Sequence, residues 1–160
     1  MGIIKEIEGY LPTLTEWRKD LHTHPERSRH EFRTSALVAE KLASFGVETH
    51  TGIGGTGVVG VLKSGTGTKT VMLRADMDAV AMVESTGLPY ASRNPGTMHA
   101  CGHDGHCVML LAAARHLCSA SNFSGTVYFV FQPAEENDAG CRAMLEAGLL
   151  ERFPADFVHG

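Results

Sequence analysis

The chain has 160 residues, close to one domain at ~150 residues per domain, with 43% hydrophobic and 20% charged residues. Its 14 Lys and Arg against 18 Asp and Glu give a net charge of −4. That balance excludes a disordered tail, and without a Lys/Arg cluster or an apolar run near ~20 residues neither a nucleic acid nor a membrane is expected as a partner.

At the N-terminus, Met1-Gly2-Ile3-Ile4-Lys5-Glu6-Ile7 is interrupted by charge where a signal peptide needs an apolar core. Glu6 also stands where the myristoylation pattern wants Ser or Thr. The expected compartment is therefore the cytoplasm. From Ile3 to Leu21 the apolar residues fall at helical spacing, with a break expected near Pro12, and His22-Thr23-His24-Pro25-Glu26 reads as the polar loop that ends this helix. A second helix is predicted from about Glu31 to Phe45, with Phe32, Ala36, Leu37, Ala39, Leu42 and Phe45 as its apolar stripe and Gly46 closing it.

The period then changes. Val58–Leu62 and Thr70–Ala75 are β-type runs separated by the turn Ser64-Gly65-Thr66-Gly67. Gly52-Ile53-Gly54-Gly55-Thr56-Gly57 matches the letters of a dinucleotide fingerprint, which requires a strand before it and a helix after it. Here a helix precedes and a β-type run follows, so the segment reads as a glycine-rich turn entering a strand. An irregular stretch from about Ser85 to His103 leads into a third helix, Gly105–Cys118, apolar almost all round and expected to be buried, with Asp104 as its N-cap. Thr126–Phe131 has the strongest strand composition, a fourth helix follows at Gly140–Leu150, and Phe153–Val158 looks like the start of another strand. Helices alternating with strands imply an α/β fold with a central mixed sheet flanked by helices.

The four cysteines, at 101, 107, 118 and 141, form no CxxC pair and are read as reduced thiols. The chemistry concentrates in Met98-His99-Ala100-Cys101-Gly102-His103-Asp104-Gly105-His106. Thiolate and imidazole are good ligands for a borderline-soft divalent cation, and Cys101 and His103 project to one side if the segment is extended. The third helix's dipole is expected to favour the Cys101 thiolate. A polar loop with a buried thiol and backbone-bonded histidines has the same letters.

Two acidic segments bear on that choice. Arg74-Ala75-Asp76-Met77-Asp78 and Gln132-Pro133-Ala134-Glu135-Glu136 each follow on a predicted strand, and open α/β sheets place ligands beyond the carboxyl ends of their strands. Adjacent Glu135 and Glu136 repel unless a cation sits between them. With a cation, one carboxylate can coordinate while the other serves as a base, the division of labour in metal-assisted hydrolysis.

The runs Arg74–Ala79, Pro95–His106 and Phe131–Glu136, with Arg18–Glu26, Glu31 and Thr86–Ala91 in support, resemble the amidohydrolase branch of the M20 metallopeptidase family. That branch includes hippurate hydrolases, N-acyl-amino-acid amidohydrolases and indole-acetyl-amino-acid hydrolases. The resemblance implies a zinc-exopeptidase-like catalytic domain, of which residues 1–160 form the N-terminal portion, and two divalent metal ions (Zn, Mn, Co or Ni). It implies Cys101, His103 and Glu136 as metal ligands, Glu135 as general base and Asp78 as a carboxylate supporting the centre, with Asp76 a weaker candidate for support. The implied substrate is a small N-acyl amino acid, whose amide carbonyl is attacked by metal-activated water.

Family members are longer, with a smaller domain that caps the site and often pairs subunits, so a homo-oligomer is open to a full-length form. Two further ligand histidines of the family fall beyond Gly160. His159 stands out of register with the first of them and takes no ligand role. The chain alone is therefore expected to bind metal weakly without turning over. Asn137-Asp138, Val80-Ala81, Arg27, Arg29 and Cys107 depart from the family's usual residues without touching a ligand. The rival expectations are a catalytically inactive fragment acting as a binding or structural module, and a single structural metal.

Overall fold

The computed structural model describes residues 3–160; Met1 and Gly2 of the N-terminal reading, and the side chains of Ile3 and Ile4, lie outside the described residues. In chain order the elements are α1 (Ile3–Thr23), α2 (Phe32–Ser44), β1 (Glu48–Ile53), β2 (Gly57–Ser64), β3 (Thr70–Asp76), α3 (His103–Ala120), β4 (Gly125–Gln132), a 3₁₀ turn (Glu135–Asn137), α4 (Gly140–Glu146), α5 (Leu149–Arg152) and β5 (Phe157–His159). The strands form one sheet in the order β1-β2-β4-β3-β5. The β1–β2 and β2–β4 pairs are antiparallel, whereas β3 runs parallel to β4 and β5, which makes the sheet mixed as expected.

Strand β4 shows why the sheet is covered on both faces. Val127, Phe129 and Phe131 join the core beneath α1, α2 and α3, with Leu14, Leu21, Val38, Leu42, Val108 and Leu111. Tyr128 and Val130 point the other way, into a second core closed by Met144, Leu149 and Phe153. Side chains that alternate across a strand and are apolar at every position need helices on both sides. Phe129 and Phe131 are fully buried, and each contributes roughly 1.5–3 kcal/mol on the transfer scale.

Several local expectations change. Helix α1 continues through Pro12, which faces solvent, where the carbonyl it leaves unbonded can meet water. It also takes in His22 and Thr23, both buried, so the polar loop begins only at His24. In α2 the buried residues are Thr34, Val38 and Leu42, which lie four apart on one face of the helix, while Phe32 falls off that face and is 66% exposed. Strand β1 has no counterpart among the elements predicted from sequence. It is an edge strand with one buried residue, Ile53, so it carries no alternation to read. A strand thus precedes the glycine-rich segment, yet that segment still turns a hairpin into β2, not into a helix.

Helix α3 begins two residues early. Gly102 is its N-cap, at φ 83°, a left-handed conformation that glycine adopts without penalty. Asp104 lies inside the first turn, because its carboxylate is held by α1. The fourth helix is split by Gly148 into α4 and α5. Strand β5 is a three-residue, exposed edge strand. Among the described residues no helix is long and apolar enough to cross a membrane, and all four cysteines are free.

Candidate metal centre

Strands β3 and β4 run parallel and end in register, with Asp76 opposite Gln132. Both acidic segments therefore leave the sheet at the same edge, where the N-terminus of α3 also arrives. His103, the first residue of α3, is 4% exposed. Its Nδ1 donates to the backbone carbonyl of Asp78 at 2.8 Å, which leaves Nε2 as the ligand-competent nitrogen. Nε2 faces Asp76 Oδ1 at 3.5 Å, Glu135 Oε2 at 3.7 Å and Glu136 Oε1 at 3.7 Å. Cys101 Sγ, an imidazole nitrogen of His103 and a carboxylate oxygen of Glu136 all lie within 4.8 Å of one another. The residues named from sequence as ligands are thus brought together, with Glu135 beside them.

The electrostatics of this group favour positive charge. For His103, burial pulls the pKa down, but the hydrogen bond with Asp78 and the charge of Asp76 outweigh it, and the net shift is upward. The Cys101 thiol is raised to about 11, first by hydrogen bonding to Glu136, then by desolvation and by the charges of Glu136, Glu135 and Asp76. This reverses the expectation of a thiolate favoured by the helix dipole. The thiol of Cys101, the imidazole of His103 and the carboxylate of Glu136 converge as a donor set that fits a divalent cation.

Asp78 is buried and supports the group from behind. Its Oδ1 accepts the Glu135 N–H at 3.0 Å, and Oδ2 accepts the Glu136 N–H at 3.0 Å and the Ser28 hydroxyl at 2.6 Å. Burial acts to raise its pKa, but these bonds and that to His103 prevail and lower it to about 2. Asp76 is more involved than its sequence context suggests. Its Oδ1 accepts from His106 Nδ1 at 2.7 Å and its Oδ2 pairs with Arg74 Nη1 at 2.9 Å. Asp76, His103 and His106 also place ligand atoms within 4.8 Å of one another. Asp76 and His106 line a cleft of about 470 Å³ with Arg74, Met109 and the exposed His159.

Other polar residues at this edge are not predicted from sequence. Asp104 Oδ2 accepts from Arg18 Nε at 2.9 Å and His22 Nδ1 at 2.7 Å, and His22 Nε2 reaches Glu84 at 3.3 Å. His99 packs near His22, with ring centroids 6.4 Å apart, and neither of its ring nitrogens has a partner among the described residues. Burial lowers its pKa to about 4, so it is neutral at pH 7. The sequence signals for these residues are the density of histidine in two short segments and the place of Arg18, His22, His99 and Asp104 within the runs that carry the family resemblance. Of the departures from the family pattern, Asp138 adopts φ 56°, a left-handed conformation that an Asp tolerates. Arg27 donates to Thr97 and to the Gly96 carbonyl, tying down the long loop.

An α/β sheet with this donor set at its carboxyl edge defines a candidate metal-binding domain. The chain belongs to Peptidase family M20/M25/M40, whose sequence model matches residues 72–160, more than half its length. It is 49% identical over 160 residues to the hippurate hydrolase of Campylobacter jejuni, covering 100% of this chain and 42% of that protein. It is 40% identical over 168 residues to thermostable carboxypeptidase 1 of Saccharolobus solfataricus, again with 100% and 42% covered. The structure of the Bacillus subtilis YXEP protein, described as a dinuclear metal binding peptidase from the M20 family, superposes with a TM-score of 0.85 at 40% identity, over 89% of this chain and 41% of that one. The chain thus spans about two fifths of the length of these relatives.

Proposed function

We propose that residues 1–160 are the N-terminal portion of the catalytic domain of a metal-dependent amidohydrolase acting on N-acyl amino acids of the hippurate type. The observation that carries this reading is the convergence of Cys101, His103 and Glu136 within 4.8 Å of one another, with Glu135 beside them. The similarity to a hippurate hydrolase and to a carboxypeptidase supports the substrate class.

Cys101, His103 and Glu136 would hold the cations, taken as a pair as in the YXEP protein. When bound, divalent cations polarise the scissile carbonyl and acidify a water molecule. Glu135 accepts the proton of the attacking water and returns it to the leaving amine nitrogen, a role that its partly exposed position allows. Asp78 holds the backbone of both glutamates and, through its carbonyl, the tautomer of His103. Asp76 gives secondary support through His106 and Arg74. Three protein donors leave a pair of cations incompletely held, so the 160-residue chain binds them weakly and does not turn over alone. A cytoplasmic location belongs to the same proposal; among the described residues no helix is long and apolar enough to cross a membrane.

A cobalt titration tests the centre directly. A thiolate-to-cobalt charge-transfer band should appear in the near ultraviolet and vanish in Cys101→Ala. Absence of the band in the unsubstituted chain, or its persistence in Cys101→Ala, removes the proposed ligand set. In whichever length of this protein hydrolyses hippurate, Glu135→Gln should lose ~10²–10⁴-fold in turnover.

A further inference from the structure

We infer that Glu31, 103 residues before Ala134, is the positioning residue that fixes the turn presenting Glu135 and Glu136. The inference rests on the roles proposed for those two glutamates. Glu31 precedes α2 and is 0% exposed. Its Oε1 accepts the backbone N–H of Ala134 at 2.8 Å and of Arg29 at 2.9 Å, and its Oε2 accepts the Thr56 hydroxyl at 2.6 Å. A buried carboxylate is costly unless its oxygens are bonded, and here every bond comes from a neutral group. Glu31 thus holds together three segments distant in sequence: the loop before α2, the β1–β2 hairpin and the turn after β4.

That last turn needs holding. Ala134 sits at φ 51°, a left-handed conformation that an alanine takes only under constraint. The N–H of Ala134 goes to Glu31, while those of Glu135 and Glu136 go to Asp78. Three successive backbone donors therefore end on two buried carboxylates. The division of work between them is unequal. Asp78 also faces His103, and so is tied to the ligand group itself. Glu31 bonds instead to Ala134, Arg29 and Thr56, and so anchors the same turn to the body of the fold. A glutamine in its place can keep both backbone N–H groups on Oε1 and turn its NH₂ to the Thr56 hydroxyl, which then accepts, so every bond survives but the backbone donors lose a charged acceptor.

The test is Glu31→Gln in the 160-residue chain, read by amide hydrogen exchange and by cobalt titration. Exchange at Ala134, Glu135 and Glu136 should quicken about tenfold, the difference between a hydrogen bond to a charged acceptor and one to a neutral acceptor. Exchange at Phe129 in β4 should not change. The cobalt dissociation constant should rise ~10–100-fold, the range for lost outer-shell support, with a shifted thiolate–cobalt band. Unchanged protection at 134–136, or unchanged cobalt affinity despite faster exchange, overturns the inference. If Glu31→Gln does not fold, Thr56→Val removes only the hydroxyl that orients Glu31, and it should show both changes at smaller amplitude; the absence of both overturns the inference. If the unsubstituted chain takes up no cobalt, the functional reading fails and amide exchange alone decides whether Glu31 positions the turn.

Discussion

Replacing Asp78 by Asn keeps the shape of the side chain and removes its charge, and the structure sets the size of the effect. The carboxylate accepts two backbone N–H groups and one hydroxyl in a site from which water is excluded. Ser28 can turn its hydroxyl to accept from the new amide, but one of the two N–H groups must face an NH₂. A buried donor that loses a charged acceptor costs about 1–3 kcal/mol, and the surviving bonds weaken as well, so the variant should lose about 3 kcal/mol at pH 7. Part of that loss depends on pH with a definite sign. The folded-state pKa lies below the ordinary value, at about 2 against 3.8. The stabilisation is therefore complete above pH ~4 and disappears as pH falls towards ~2, and it amounts to about 2 kcal/mol. Urea denaturation of the cation-free protein should show a gap between wild type and Asp78→Asn that is constant from pH 7 to pH ~5 and shrinks steadily below that. A gap that stays the same down to pH ~2.5, or one under 1 kcal/mol at neutral pH, would show that Asp78 is not a buried carboxylate bonded to the turn.

Two further substitutions separate the centre from the scaffold. At Gly140 an added Cβ would lie 2.6 Å from the carbonyl carbon of Pro133 and closer still to its oxygen. Gly140→Ala must therefore push the turn that leads into Glu135, at a cost of about 1–3 kcal/mol, with weaker cobalt binding; a titration identical to wild type would contradict this. Leu111 is 0% exposed in the core between α3 and the sheet, distant in role from any ligand. Leu111→Ala should cost about 2–5 kcal/mol in urea denaturation yet leave the cobalt spectrum in place, and a loss below 1 kcal/mol would refute the packing.

The parts of the fold that are legible in sequence are those whose neighbours are uniform. Strand β4 meets apolar helices on both faces, so Val127 to Phe131 are apolar without interruption and the strand is plain. Strand β1 meets solvent along most of its length, and Glu48-Thr49-His50-Thr51 could as well be a loop; only pairing with β2 makes it a strand. Pro12 misleads because a missing hydrogen bond disrupts a helix only where nothing replaces it, and at that point water can. In the centre, Cys101 and His103 are legible because they stand two residues apart, and Glu136 because strand β4 delivers it to the same edge. The contacts of Glu31, Ser28, His22 and Asp104 are not, since a buried polar residue's work is set by its partners, and theirs come from segments that meet only once the chain has folded.

The charge state of Cys101 shows how that limit works. Judged locally, a cysteine before a helix N-terminus gains thiolate character, but a helix end contributes only ~0.3–1 kcal/mol. The fold brings Glu136, Glu135 and Asp76 to the same place, and the hydrogen bond to Glu136, desolvation and the charges of these acids together raise the thiol to about 11. The same crowding of acids makes the position receptive to a cation, which must displace that proton in order to bind the sulfur. A sequence motif can name the atoms that meet an ion, but the acids that surround them decide whether, in the ion's absence, a proton occupies its place.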